Sequence, residues 1–580
     1  MERDSILKRL QTTLIINISL SLLLLYTLVR LQIPNSLNSV LITAVISFFL
    51  SSSFLVAIKN RLQEYPKASF YLYSGLMDLG FRALIVSSFL FYFNRELFSA
   101  YDTLLLGLFC IGVGLFLFYN RKKLVKDGPM YLYKTEIGLK FIEYMGSKYK
   151  KTLRALSYVS IAWGYLLMAG GIYLLIQLVS MFSNPEIVGM VKIPPIMPLI
   201  PYLSDAFNIS WLPHFPFIDF ILAIAIVAIF HEGFHGIFAK FYNIKIKSTG
   251  FGFLGPFLAF FVEQDDKQMQ KAKPFAQLSV LSAGVFANVL LSILFLIIMG
   301  LFFSNAYAAN GAIFNDYTYS IAPISAIAGF YNFNEKINVG GVEMSKIGVA
   351  GENYFISSSF FALNLTREEM KADNSTPVKL YWDEPAIKQN MKGAIVKINN
   401  VEINSNVDIA NILKNMKTGD TISIDTRFNN GTQYAPNYLD YKYNLILGKD
   451  YTNKTRAIMG IASVQAKSLT GLKAIIYGLM TTFKDPNINY EPKANPELTM
   501  FVYTLLWWLF WINLSVALAN MLPIAIFDGG RFFYLTILVL TGKKKIAEKS
   551  FKWSTGIILG LVALSMILYV LGILRLIFNF

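Results

Sequence analysis

The sequence is poor in the residues that most often carry chemistry. It has one cysteine, Cys110, and three histidines in 580 residues. A lone cysteine excludes an intramolecular disulfide. Charge is scarce too: Asp, Glu, Lys and Arg make up 15% of the chain, against about 25% in an ordinary globular domain. Hydrophobic residues reach 55%, which excludes a soluble domain and points to a polytopic α-helical membrane protein. A hydrocarbon core of about 30 Å needs roughly 20 apolar residues in a helix. Runs of that kind lie near 11–32, 37–58, 70–93, 102–120, 156–182, 217–240, 275–304, 498–522 and 555–578. The first is long, and no small-residue cleavage site follows it, so it reads as a span and not as a secretory signal.

Acidic residues are outnumbered, 36 to 52. Such an excess fits nucleic-acid binding in a soluble protein, but here its location assigns it to loops retained in the cytoplasm. Residues 121–154 carry ten Lys/Arg against three acids, and "KKKIAEKSFK" at 543–552 carries five lysines against one acid. The polar stretch 304–497 is nearly neutral, with nineteen basic and eighteen acidic residues. No nucleic-acid partner is expected; the partners are the lipid bilayer and proteins within it. Counting spans from a cytoplasmic N-terminus puts 121–155, 241–274 and 523–554 inside, and 183–216 and 305–497 outside. N-x-[ST] sequons at Asn208, Asn364, Asn374, Asn430 and Asn453 fall in the outer loops, and none falls in a loop counted as inside.

The expected organisation has five parts: N-terminal helices over 1–125, a basic cytoplasmic loop over 126–155, a helical core over 156–304, a soluble insert over 305–497 and the rest of the core over 498–580. Within the first part, Asp78 with Arg82 at i+4 reads as an ion pair. In the insert, residues 385–428 read as strand, "NN" turn, strand, a helix from Asn406 to near Lys417, a "TGD" turn and a further strand. That order resembles a PDZ domain, and a generic α+β insert is the alternative. "EKINVGGVEM" at 335–344 echoes the strand–turn–strand unit, which leaves open one elaborated domain or two PDZ-like parts.

Two of the three histidines stand in "HEGFHG", residues 231–236, within an apolar helix. Imidazoles at i and i+4 share one helical face, so His231 and His235 can ligate one zinc ion, with Glu232 beside them as general base. A charged residue at membrane depth costs on the order of 2.5–3.5 kcal/mol, so Glu232 is not a casual surface group. The plain alternative is a histidine pair satisfied by packing. A catalytic zinc needs a third protein ligand. His214 lies seventeen residues before His231, about 25 Å along a helix, too far to serve. The best candidate is Asp528 in "NMLPIAIFDGGRFF", residues 520–533, although an ordinary turn explains "DGG" equally well. "STGFGFLGPFLAFFVEQ", 248–264, holds Gly250, Gly252, Gly255 and Pro256; it reads as a re-entrant β-hairpin whose free edge can pair with an unwound substrate, or as an interfacial loop.

Together these motifs resemble the site-2 protease family of intramembrane zinc metalloproteases. "HEGFHG" matches its HExxH helix, "NMLPIAIFDGG" its N-x-x-P followed by DG, and "SAGVFANVL" at 282–290 its AG-x-x-x-N helix. The resemblance implies a six-span core over about 156–578 with a PDZ-like insert. It implies Zn2+ held by His231, His235 and Asp528, Glu232 as catalytic base, and Asn520 and Asn288 positioning substrate or the developing oxyanion. Transmembrane protein substrates would be cut toward the cytoplasmic side, with the insert extracytoplasmic. A pseudoprotease that binds helices without cutting, and a membrane-anchored zinc protease acting on soluble or misfolded proteins, are the alternatives. The four N-terminal spans and Arg531 after "DGG" depart from the simplest family pattern.

Overall fold

The computed structural model describes residues 97–127, 130–184, 213–254, 257–363, 365–373, 376–431, 437–450, 456–463 and 483–578, with scattered positions at 76–84, 188–202 and 478–481. The expected spans near 11–32 and 37–58, most of that near 70–93, and the Asp78–Arg82 pair lie outside the described residues. Two compact units are present, Met1–Ile298 with Thr504–Phe580, and Met299–Tyr503.

Nine helices suffice to describe what surrounds the motifs: α1 Leu97–Tyr119, α2 Leu139–Lys148, α3 Lys150–Phe182, α4 Phe217–Phe241, α5 Pro274–Ala306, α6 Asn406–Leu413, α7 Pro496–Asn520, α8 Asp528–Thr541 and α9 Lys544–Phe578. Among the described residues, six helices are long and apolar enough to cross a membrane: α1, α3, α4, α5, α7 and α9. Their outward faces keep large apolar side chains exposed, as Ile293, Leu294, Ile297 and Leu301 do on α5, a surface suited to lipid. The chain is a multi-pass membrane protein. Helix α4 carries the HExxH motif. It stops where Asn243 takes a left-handed conformation, φ 59°, and Ile244 N–H donates back to the Ala239 carbonyl at 2.9 Å.

The basic segment expected as a loop is built structure. It forms strands β1 Leu124–Asp127 and β2 Met130–Thr135, then α2, and α3 begins at Lys150. The segment 248–264 is a hairpin of β3 Ile246–Leu254 and β4 Phe257–Gln264. All four strands join in one antiparallel sheet, ordered β1–β2–β3–β4. Strand β2 therefore takes one edge of the hairpin, pairing Tyr131 with Phe253, and among the described residues the edge without a strand partner is that of β4. Gly250 makes the approach possible: a Cβ there would strike the Tyr133 carbonyl and come within 2.7 Å of the Phe261 ring.

Besides two short two-stranded ladders, the unit Met299–Tyr503 holds two large antiparallel sheets. One runs, in spatial order, Tyr319–Pro323, Pro377–Trp382, Glu352–Ser357, Val342–Val349 and Tyr331–Val339. The other runs Tyr438–Ile446, Thr421–Asn429, Ala394–Ile398, Tyr307–Ala312 and Ile488–Pro492. Asn399 and Asn400, φ 49° and 65°, turn the chain from Ala394–Ile398 into Val401–Glu402. Residues 385–388, at the head of the expected first strand, are instead a helical turn with Pro385 at its start. Helix α6 opens on a capping box of Ser405 and Asp408. Both sheets contribute to one apolar cluster, Met344 and Phe355 from the first with Ile395, Ile398 and Ile424 from the second.

At their junction Glu384 is 3% exposed. Its carboxyl packs against Gly448, where a Cβ would stand 3.1 Å from Glu384 Cδ. Burial pushes Glu384 up to about 7, with Lys388 opposing and Asp383 and Asp450 adding to the rise. The folded value lies above the unfolded one, so the folded state holds the extra proton between about pH 4 and pH 7. Stability of this unit is therefore greatest in acid, falls as pH rises through that window, and stays low above it. Glu384→Gln is expected to flatten the slope and to stabilise the unit at pH 8 by ~2 kcal/mol. Pulse proteolysis of the full chain across this pH range reads the effect, and an unchanged slope would exclude Glu384 as its source.

Candidate metal centre

Helix α4 sets the two imidazoles one turn apart, with ring centroids at 4.7 Å. Their Nε2 atoms are 3.2 Å from each other. Asp528 Oδ2 stands 3.2 Å from His235 Nε2 and 3.5 Å from His231 Nε2. Among the described residues these three form the one group of histidine, cysteine and acidic side chains whose donor atoms lie close enough to share an ion. The fit to zinc is geometric: a tetrahedron built on bonds of 2.0–2.1 Å has edges of about 3.3 Å. Two imidazoles and a carboxylate are also a usual catalytic donor set that leaves one position open.

The surroundings fix the ring tautomers. His235 Nδ1–H donates to the Val280 carbonyl at 2.6 Å, which leaves Nε2 free to ligate. Asn288 is fully buried on α5, with its side-chain amide 3.0 Å from His231 Nδ1. With the amide turned so that Oδ1 faces the ring, His231 Nδ1–H donates to it, and a buried oxygen otherwise without a partner is satisfied. Asn288, expected to position substrate, thus touches a histidine of the cluster. Asn520 closes α7 with its Nδ2 3.5 Å from His231 Nε2. Glu232 is half-buried, and its Oε2 accepts from Val262 N–H of β4 at 3.3 Å. His214 lies apart, its ring beside Tyr202 and its carbonyl accepting from Trp508 Nε1 at 3.0 Å. Arg531 is exposed on α8.

The third donor reaches the pair because the chain breaks between α7 and α8. Pro523 cannot continue a helix, and short turns follow, Ile524 N to Leu522 O at 2.7 Å and Phe527 N to Ile524 O at 3.1 Å. The glycines after Asp528 permit the close return: a Cβ on Gly529 would meet the Met521 carbonyl and come within 2.6 Å of Leu522 O, and one on Gly530 would strike Ile524 O.

Sequence reasoning missed Gly284. It lies on α5 four residues before Asn288 and faces the same histidines. A Cβ there would run into His235 Nε2 and stand 2.8 Å from His231 Nε2, in the space an ion would fill. The i, i+4 spacing of glycine and asparagine in "AGVFAN" was the available signal.

Purified protein is expected to hold one zinc per chain. His231→Ala, His235→Ala and Asp528→Ala should each lower occupancy, and Glu232→Gln should not. Gly284→Ala should also lose the metal, and Asn288→Ala should weaken binding about 10- to 100-fold. Metal analysis decides each case: undiminished zinc in Asp528→Ala removes that ligand, and full zinc in Gly284→Ala removes the steric argument.

Comparison with known proteins gives two findings. A family model described as peptidase family M50 matches residues 219–564. An uncharacterized protein of Methanocaldococcus jannaschii is 33% identical over 159 residues, 27% of this chain and 40% of that protein; the chain aligns with less than half the length of that relative. The family match begins in the first turn of α4 and ends within α9, so it takes in every element that contributes to the cluster, and the chain belongs to peptidase family M50, the site-2 protease family of membrane zinc metalloproteases.

Proposed function

We propose that this chain is an intramembrane protease that hydrolyses peptide bonds within the transmembrane segments of membrane-protein substrates, with His231, His235 and Asp528 holding Zn2+ and Glu232 as the catalytic base. The observation that carries this reading is the position of the cluster: His231 follows fourteen helical residues, Phe217 to Phe230, in which Asp219 is the one charged side chain. Fifteen residues of helix span roughly 22 Å of a core of about 30 Å. With the basic loops 121–154 and 543–552 in the cytoplasm, the site lies toward the cytoplasmic side and the insert 305–497 is extracytoplasmic.

Zinc in this site would act as a Lewis acid on the scissile carbonyl and activate water. Glu232 takes the proton from the attacking water and returns it to the leaving nitrogen. The Asn520 amide donates N–H to the oxyanion that develops beside His231. Asn288 keeps His231 in the ligating tautomer. A helical substrate hides its own carbonyls, so it must unwind before it is cut. The free edge of β4 offers the unwound segment a strand to pair with, and Val262 on that edge already touches Glu232. The insert is read as PDZ-like, on the order strand, Asn399–Asn400 turn, strand, α6, strand. It admits substrates already shortened outside and excludes large ectodomains, which makes the reaction a regulated intramembrane proteolysis.

A single-span substrate lacking its ectodomain is expected to be cut within its cytoplasmic half. Glu232→Gln should lower the rate about 10²- to 10⁴-fold with zinc retained. Changing a central Gly-Pro of the substrate to Leu-Leu should slow cleavage by raising the cost of unwinding, and restoring the ectodomain should block it. Cleavage in the outer half, or equal rates for all substrates, would sink this reading. Sidedness has its own measurement: protease added to right-side-out vesicles should clip the insert and spare tags placed at 125–150 or 545. The reverse pattern inverts the topology.

A further inference from the structure

Helix α1 precedes the residues that match the family, yet it is joined both to the helix that carries HExxH and to the sheet that ends in β4. Asp102, in its second turn, is 4% exposed. Its carboxylate accepts from Phe217 N at 2.7 Å and Ile218 N at 2.9 Å, and from the Tyr202 hydroxyl. Those two amides open α4 and have no acceptor within their own helix. Pro216 at the N-cap supplies no side-chain cap. The cap of the HExxH helix is therefore a carboxylate from another helix, at the end where a negative charge is favourable. The Phe109 ring supports the same end, 5.2 Å from Phe217.

Farther along α1, the Phe116 ring packs 5.0 Å from Tyr133 of β2 and 5.8 Å from Phe253 of β3. Leu117, Cys110 and Phe253 are buried in the same cluster. Strand β3 carries β4, pairing Thr249 with Val262, and Val262 N–H meets Glu232. The connections close a circuit. From Asp102 to Phe116 is fourteen residues, about 21 Å of helix, and from Phe217 to Glu232 is fifteen, about 22 Å. Two rods of equal length are tied at one end by Asp102 and at the other through the sheet.

We propose that α1 is a strut that sets the axial register of the catalytic helix against the β4 edge, with Asp102 and Phe116 as its positioning residues. Helix α1 is then part of the catalytic unit, and it decides which substrate bond comes opposite Glu232. This rests on the reading of β4 as the strand that pairs with substrate. Neither residue touches the metal ligands, so loosening the strut should leave zinc bound and shift the base along the edge.

The test uses the full chain in lipid nanodiscs, with Asp102→Ala, Phe116→Ala and Asp102→Asn, and mass spectrometry of the product ends from a single-span substrate. Wild type is expected to cut at one bond. Asp102→Ala and Phe116→Ala should keep one zinc per chain, lose about ten- to a hundredfold in kcat/KM, and spread their cuts over neighbouring bonds. Asp102→Asn, whose one carbonyl oxygen keeps an acceptor for one of the two amides that Oδ2 and Oδ1 now serve separately, should spread its cuts less than Asp102→Ala. A lower rate at an unchanged single bond would mean a loss of folded enzyme only and would overturn the strut, as would wild-type kcat/KM in both variants. Hydrogen exchange without substrate gives a readout independent of activity: in Asp102→Ala, amides 217–218 and 258–262 should lose protection together. If wild type cuts no transmembrane substrate, the proposed function fails and this exchange alone decides, with β4 amides still protected in Asp102→Ala counting against the strut.

Discussion

The arrangement depends on one constraint: three donor atoms, the Nε2 atoms of His231 and His235 and the Oδ2 of Asp528, must stay within 3.5 Å of one another inside an apolar helical unit. Most of the surroundings are apolar side chains, and a polar group left unsatisfied among them costs several kcal/mol. The outer nitrogen of each ring is consequently held. The Val280 carbonyl and Asn288 take the outer nitrogens of the two rings. The space between the rings is kept open by Gly284, because the backbone of α5 passes too near for a side chain to fit. Polar satisfaction and steric vacancy are thus supplied by the same helix, four residues apart, which is why its glycine and asparagine act as one device.

Bringing Asp528 to the histidines requires a broken chain, and a break exposes backbone groups that lipid cannot satisfy. The segment between α7 and α8 resolves this locally. Its amides turn back onto nearby carbonyls, and the Pro523 carbonyl accepts from Ser554 Oγ of α9 at 3.2 Å. Gly529 and Gly530 let α8 start directly against the end of α7. A side chain at either position would push Asp528 away from the rings before it altered any ligand, so the glycines matter to the centre although neither touches it.

Much of the centre was legible because its information is local. Residues at i and i+4 meet on any helix, so "HEGFHG" declares its geometry without the fold, and the same periodicity places Asn288 on one face of α5. The Asn399–Asn400 turn is local too, since asparagine tolerates the left-handed conformation that a tight hairpin needs. What was not legible is long-range or negative. Strands β1 and β2 are short, lie in a lysine-rich stretch and find their partner more than a hundred residues later, Tyr131 against Phe253, so nothing in 121–135 by itself distinguishes them from a loop. Gly250 and Gly252 read as helix breakers; that Gly250 also seats β2 shows only when the Tyr133 carbonyl arrives beside it. Gly284 contributes an absence, and an absence acquires meaning only once the histidines stand opposite.

The contact between Glu232 and Val262 joins the two levels. A free strand edge beside an apolar helix leaves unpaired amides that need an acceptor, and a carboxylate on the HExxH helix needs donors for the same reason. In this structure each serves the other across 3.3 Å. The distance is long for a charge-assisted bond, which prefers about 2.7–2.9 Å, so the contact satisfies both groups without holding either tightly. Any extended segment that pairs with β4 competes for that same amide. Glu232 and the strand edge are therefore coupled by hydrogen-bond inventory alone, before any motion is invoked, and the sheet built from the basic segment and the 246–264 hairpin is tied directly to the helix that carries the histidines.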